Sequence, residues 1–219
     1  MVELIVRGGF FMVPVLVCSV LAVAVFVERL VRIVQAGRLV QALAAEAAPL
    51  LDAGDLAALR DLVNGRPGPL AAACRAGLGA PLSFALEGMR SEASYQVTQM
   101  GRGLRAMATI AHIAPLLGLL GTVSGMINAF RDLQAEAERI GGMVGPNVLA
   151  GGIWEALLTT AAGLAVAIPV FVGHAFLVAR VDGMATEMER VCGRVVETRQ
   201  ARARALLRKR RADSPAEKV

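Results

Sequence analysis

Glu155, Thr159 and Thr160 are the residues best placed to do chemistry, because of the run they stand in. They open an apolar stretch, Pro146 to Ala179, in which no Asp, Glu, Lys or Arg follows Glu155 until Arg180. A carboxylate inside a membrane-length run is costly, and its default reading is functional. Threonine hydroxyls do not titrate near neutral pH, but they hold and orient water. A second charge-free run, Ala106 to Phe130, offers Thr109, His112, Thr122, Ser124 and Asn128. Together these groups could guide a proton or a sodium ion through part of a bilayer. They do not form a relay across about 30 Å of hydrocarbon, because Glu155 is the one carboxylate in any apolar run. A second carboxylate would have to come from a partner, or several copies would have to ring one cavity.

Blander readings stand beside this one. Glu155 is near the start of its run and could snorkel to the outer interface. Thr122, Thr159 and Thr160 could bond back to carbonyls one turn earlier. Ala111, Pro115, Gly118, Thr122 and Gly125 recur at spacings of three and four, so they share one helix face. Such a small-residue stripe borders a cavity or simply lets another helix approach, and Gly121 with Gly125 adds a GxxxG pair. Trp154 fits an interfacial anchor. Cys18, Cys74 and Cys192 lie far apart in the chain with no CxxC spacing, and read as unpaired small apolar residues. His112 and His174 have no ligand-spaced neighbours. No metal, cofactor or nucleophile–base pair is therefore expected, and an enzyme is the least favoured class.

The elements that would position these groups are helices. Hydrophobic residues make up 56% of the 219 and aromatics only 4%, so the excess is Ala, Val, Leu and Gly. That mix suits closely packed transmembrane helices. Phe10 to Val27 is a third charge-free run. A signal peptide, with Arg7 ahead of it and Ala22-Val23-Ala24 as a cleavage site, is the rival reading. Pro14, the apolar residues beyond Ala24, and Arg29 and Arg32 directly after the run favour an uncleaved span. The expectation is an all-α membrane protein with three transmembrane helices, long cytoplasmic helical extensions and an oligomeric bundle. The spans are placed at 10–27, 106–130 and 148–179.

Basic residues orient the spans. Segments 28–105 and 180–219 carry nine and eleven Lys or Arg, whereas 1–9 and 131–147 carry one and two. The first pair is therefore a cytoplasmic helical domain and a cytoplasmic helical basic tail, and the second pair an outer N-terminus and an outer link. Within 28–105, Asp52-Ala53-Gly54-Asp55 reads as a turn with Asp55 as the next N-cap, and Gly65 to Pro69 as a break. Two or three short helices should precede a long one from about Pro81. A basic tail beside anionic lipid calls for no nucleic acid.

Two stretches resemble a known family. They are Ala114 to Phe130 (APLLGLLGTVSGMINAF) and Gly151 to Pro169 (GGIWEALLTTAAGLAVAIP), and with their flanks they cover about a quarter of the chain. Both are similar to the MotA/TolQ/ExbB proton channel family. The resemblance implies a three-span subunit of the bacterial inner membrane, with N-terminus and link periplasmic. It implies a homopentamer around a two-copy, single-span ExbD/TolR-like partner whose intramembrane aspartate carries the proton. Work would pass to a TonB- or TolA-like protein. By matching position, Thr122 and Thr160 would be the pore threonines and Glu155 the buried carboxylate of the third helix. Thr159 adds a hydroxyl beside them where many relatives carry Ala. Gly118, Gly121, Gly125 and Gly163 would be packing positions, and Pro115 and Pro169 kinks. Three spans rather than four separate the chain from flagellar stators. The short N-terminus leaves ExbB, TolQ and gliding-type systems open. A non-conducting membrane scaffold remains the alternative of another class, and an independent transporter would need a midplane site and internal repeats that are not seen. Thr160, deeper than Glu155, is the first residue expected to matter.

Overall fold

The computed structural model describes residues 10–140 and 146–213, with side chains placed for 10–139 and 150–209. Five helices succeed one another: α1 Met12–Asp52, α2 Leu56–Asn64, α3 Pro69–Gly79, α4 Ala85–Ile140 and α5 Pro146–Asp213. No strand is present among the described residues. Three of the helices, α1, α4 and α5, are long and apolar enough to cross a membrane. Only 11%, 28% and 17% of their most apolar windows is buried within the chain. Val20, Leu116, Leu119, Ile168, Phe171 and Val172 are among the bulky side chains left exposed. So large an uncovered apolar surface requires lipid or neighbouring subunits.

Helix continuity differs from expectation in three places. α1 runs without interruption past Val27 to Asp52, so the first apolar run and the charged segment after it are one helix. The long helix α4 starts at Ala85 rather than near Pro81. Pro81 to Phe84 form a turn instead, with Phe84 N donating to Pro81 O at 3.0 Å. The polar segment after Phe130 stays helical to Ile140, and α5 opens at Pro146. Residues 141–145 lie outside the described part of the chain. At the first and last of these places the charge pattern changes where nothing in the backbone breaks: no Gly or Pro stands at Glu28 or between Arg131 and Ile140.

The chain divides into two compact units. The first combines residues up to Arg29 with Gly103–Leu177. Within it α1 meets α5 where Gly173 faces Phe26: a Cβ on Gly173 would lie 2.9 Å from the Phe26 ring. α4 and α5 pack along a seam of small residues.

The second unit combines Leu30–Arg102 with the chain from Val178. Its core draws on all five helices, through Val40 and Leu43, Leu59 and Val63, Leu70 and Cys74, Met89, and Met188, Cys192 and Val195. The turn before α2 forms as its residues predict. Gly54 takes φ +69°, in the left-handed region that glycine enters at little cost. Asp55 Oδ1 accepts from Ala57 N and Ala58 N at 3.1 Å each, satisfying two of the unpaired amides of α2.

Arginines close the opposite helix ends. Arg75 Nη1 donates to Val63 O at 2.6 Å and to Arg66 O at 2.9 Å, at the end of α2. At the end of α3, Arg60 donates to Leu78 O and Arg199 to Ala80 O, both at 3.0 Å, and Arg199 also to Gly77 O. Cationic donors suit the negative end of a helix dipole. Some of the positive charge of these segments is thus used to terminate helices.

Candidate functional site

The sequence places its polar intramembrane groups on α4 and α5, and the first unit brings these two helices into close contact. The contact is made by small residues. From Ala111 onward the buried positions of α4 are Ala111, Ala114, Gly118, Gly121, Gly125 and Ala129, a row at spacings of three and four. Gly118 and Gly163 face one another: a Cβ on Gly163 would lie 2.7 Å from Ala114 O and 3.1 Å from the Gly118 Cα. A Cβ on Gly118 would lie 3.0 Å from the Thr160 Cα. One on Gly125 would lie 3.0 Å from the Ala156 Cβ, and one on Gly121 would overlap the Thr159 side chain. Backbones this close exclude side chains from the line of contact, as small-residue helix pairs in membranes do.

This seam keeps Ala111, Gly118 and Gly125 of the stripe expected from residue spacing, and includes the glycines expected to pack. Ala114 and Gly121 take the central places that Pro115 and Thr122 were expected to share. Pro115 and Thr122 flank it and stay partly exposed. The two rows share three positions and differ by one residue at the other two, so spacing alone does not choose between them. Gly152 against Ala129 extends the seam, four residues before Ala156 on α5. Pro115 and Pro169 both lie inside helices, each without an N–H to donate to the preceding turn.

The three threonines have different environments. Thr159 is 1% exposed and packs its methyl against Gly121, and its hydroxyl donates to Glu155 O at 2.8 Å. It fills the seam within one chain. Thr160 is partly exposed, and its hydroxyl crosses to α4, donating to Gly118 O at 2.9 Å. Thr122 donates to Leu119 O at 2.6 Å on its own helix. Back-bonding is the bland alternative for all three; it holds for Thr122 and Thr159, whereas Thr160 bonds between helices.

These bonds have a chemical consequence. A hydroxyl has one proton to give and two lone pairs. Thr122 and Thr160 have both committed the proton to a carbonyl, so what remains to each oxygen is acceptor capacity. Such an oxygen receives a hydrogen bond from water, a hydrated proton or a protonated carboxyl, and can coordinate a cation. It does not donate to a carboxylate without breaking its present bond.

Glu155 is one turn before Thr159 and partly exposed, with Trp154 beside it 60% exposed. Thr122 begins a groove of about 680 Å³ on α4 that continues past Met126, Ile127 and Phe130 to Arg131 and Gln134. Neither Glu155 nor Thr160 lines it. A single chain therefore joins Thr160, Thr159 and the four glycines in one seam but does not bring Thr122 and Glu155 into a shared cavity. Among the described residues no group of His, Cys, Asp and Glu is arranged to hold a metal ion.

Known proteins share this part of the chain. The MotA/TolQ/ExbB proton channel family matches residues 70–190, more than half of the chain and all of the residues above. The biopolymer transport protein exbB1 of Vibrio cholerae is 43% identical over 91 residues, 42% of this chain and 38% of that protein. An ExbB-like protein of Synechocystis is 37% identical over 168 residues, 74% of this chain and 64% of its own length. The biopolymer transport protein ExbB of Salmonella typhimurium is 46% identical over 74 residues, 33% of this chain and 28% of that protein. The chain spans less than two thirds of the length of each.

Proposed function

We propose, since the chain belongs to the MotA/TolQ/ExbB proton channel family, that it is an inner-membrane subunit of a motor that uses the proton motive force to energise an envelope process. In this reading five copies surround the helices of a two-copy, single-span ExbD/TolR-like partner. The partner supplies the aspartate that a single copy of this chain lacks, and a TonB- or TolA-like protein takes up the work. TonB-dependent uptake is the preferred process, and Tol-Pal envelope maintenance or gliding motility the alternatives. Segments 28–105 and 180–219 face the cytoplasm, and 1–9 and 131–147 the periplasm.

The observation that carries the reading is the pair of acceptor-only hydroxyls, Thr160 and Thr122, on helices whose apolar runs include one carboxylate. Acceptors placed along a wetted wall suit a proton that arrives on a partner's carboxyl group. They hold its water without competing for the charge. Thr159 braces the wall from inside the seam, Glu155 sets the field and hydration toward its outer end, and the glycines fix the distance between α4 and α5. A static scaffold would use the same seam but would not need hydroxyls with free acceptor capacity beside it.

The complex itself tests the reading. Co-expression with a short, single-span protein carrying an intramembrane Asp, encoded beside this chain, should give one particle with five large subunits and two small ones by native mass spectrometry. A stable particle of this chain that never retains the small protein supports the scaffold instead.

A further inference from the structure

The second unit carries a basic cavity that the channel reading does not use. It measures about 400 Å³ and is lined from α2, the end of α3 and α5. Arg60 of α2 and Arg199 and Arg202 of α5 border it, with Asp61 the one carboxylate among its lining residues and Leu56 and Leu78 an apolar part. Three guanidiniums and one carboxylate give the lining a net charge of +2. The fold fixes two of the arginines. Arg60 donates to Leu78 O at 3.0 Å, and Arg199 to Ala80 O at 3.0 Å and to Gly77 O. A guanidinium has five N–H groups, so both keep donors free after these bonds. Arg202 stands three residues after Arg199, on the same face of α5. Among the described residues no Asp or Glu forms an ion pair with any of the three. The first amides of α2 do not serve an incoming anion, since Asp55 already accepts from Ala57 N and Ala58 N. The arginines are therefore the donors on offer.

We propose that Arg60, Arg199 and Arg202 bind the phosphate group of a small phosphomonoester that also carries a hydroxyl group, which donates to Asp61. A phosphomonoester carries a charge of about −1.5 to −2 at neutral pH, which matches the lining. Arginine forks take phosphate oxygens two at a time. Arg60 and Arg199 lose little freedom on binding, because carbonyls at the end of α3 already hold them. Asp61 repels a bare anion and favours a ligand with a donor beside its phosphate. The volume falls within the range of small-molecule sites, about 300–1,000 Å³. A stretch of acidic peptide would bring further carboxylates against Asp61. A lipid headgroup is the other source of phosphate. Arg199 lies about 30 Å along α5 from Arg180, where the apolar run ends, so a headgroup at the membrane surface does not reach it. With this unit on the cytoplasmic side, soluble phosphomonoesters have free access. The site does not depend on the channel reading.

Isothermal titration calorimetry of the full-length protein in phosphatidylcholine nanodiscs tests this, with glycerol phosphate, inorganic phosphate and tetraglutamate as probes. Glycerol phosphate should bind at one site per chain and more tightly than the other two. Arg202→Gln should weaken it by at least about tenfold, the loss expected for one charged donor. Arg202 closes no helix end, unlike Arg60 and Arg199, so this variant should keep its helical circular dichroism. Arg204→Gln, outside the cavity, should bind as wild type does. Asp61→Asn should tighten the binding of inorganic phosphate. Phosphatidylglycerol nanodiscs at physiological ionic strength should give the same affinity, because about 30 Å is several screening lengths. No binding of glycerol phosphate, a preference for inorganic phosphate, or tetraglutamate held as tightly would each overturn the proposal. So would equal weakening by Arg202→Gln and Arg204→Gln, or displacement of the probe by phosphatidylglycerol.

Discussion

Thr160→Val is expected to remove motor output while leaving the protein in the membrane and bound to its partner. Valine keeps the shape of the side chain and the close approach to Gly118. It deletes the hydroxyl that donates to Gly118 O, at a stability cost of about 1 kcal/mol for one hydrogen bond. The larger loss is functional, because the acceptor oxygen goes as well and an apolar surface takes its place. A proton path that depends on an ordered water there should slow by at least about tenfold, which is about 1.4 kcal/mol on its barrier. Thr160→Ser should restore most of the activity. Thr159→Val is the control: its hydroxyl is bonded to its own helix inside the seam, so output should stay near wild type. Energised uptake in cells, with complex assembly monitored by co-purification, separates these outcomes. Equal output from Thr160→Val and wild type would remove Thr160 from the path.

Gly163→Val should act on the fold instead. A Cβ at this position already meets Ala114 O at 2.7 Å and the Gly118 backbone at 3.1 Å, and neither is the movable end of a side chain. The branched side chain adds two more carbons to that contact. α4 and α5 must separate, which also breaks the Thr160 bond to Gly118. Overpacking of this kind costs about 1–3 kcal/mol and sometimes more. The expected result is a large drop in detergent thermal stability and in the amount of assembled protein. Gly151→Val is the comparison, because a Cβ there meets nothing within 4 Å. Equal stability of the two variants would mean that the seam is not as close as described.

The architecture is largely legible in the sequence because it is written in local terms. Length of apolar runs marks the three long helices, and Asp55, Gly54 and the break before Pro69 mark the short ones. The features that escape are non-local or rotational. Charge separates the first run and the segment after Phe130 from their neighbours, but charge reports the surroundings of a helix, not its end. The seam departs from the expected stripe at two positions, with Ala114 in place of Pro115 and Gly121 in place of Thr122, because spacings of three and four both keep a helix face. The Thr160 bond to Gly118 joins residues distant in the chain, and no spacing rule could reveal it. The arginines that close α2 and α3 register in the sequence only as charges, since their acceptors are set by tertiary packing.

If this chain forms the wall of an ion path, a partner's carboxyl group must complete that path. Proton flux into liposomes under an imposed pH gradient tests this most directly, comparing the chain alone with the co-purified complex. The chain alone should give flux near that of empty liposomes and the complex clear flux, lost when the partner's intramembrane Asp is replaced by Asn. Equal flux with and without the partner, or none from an intact complex, would contradict it.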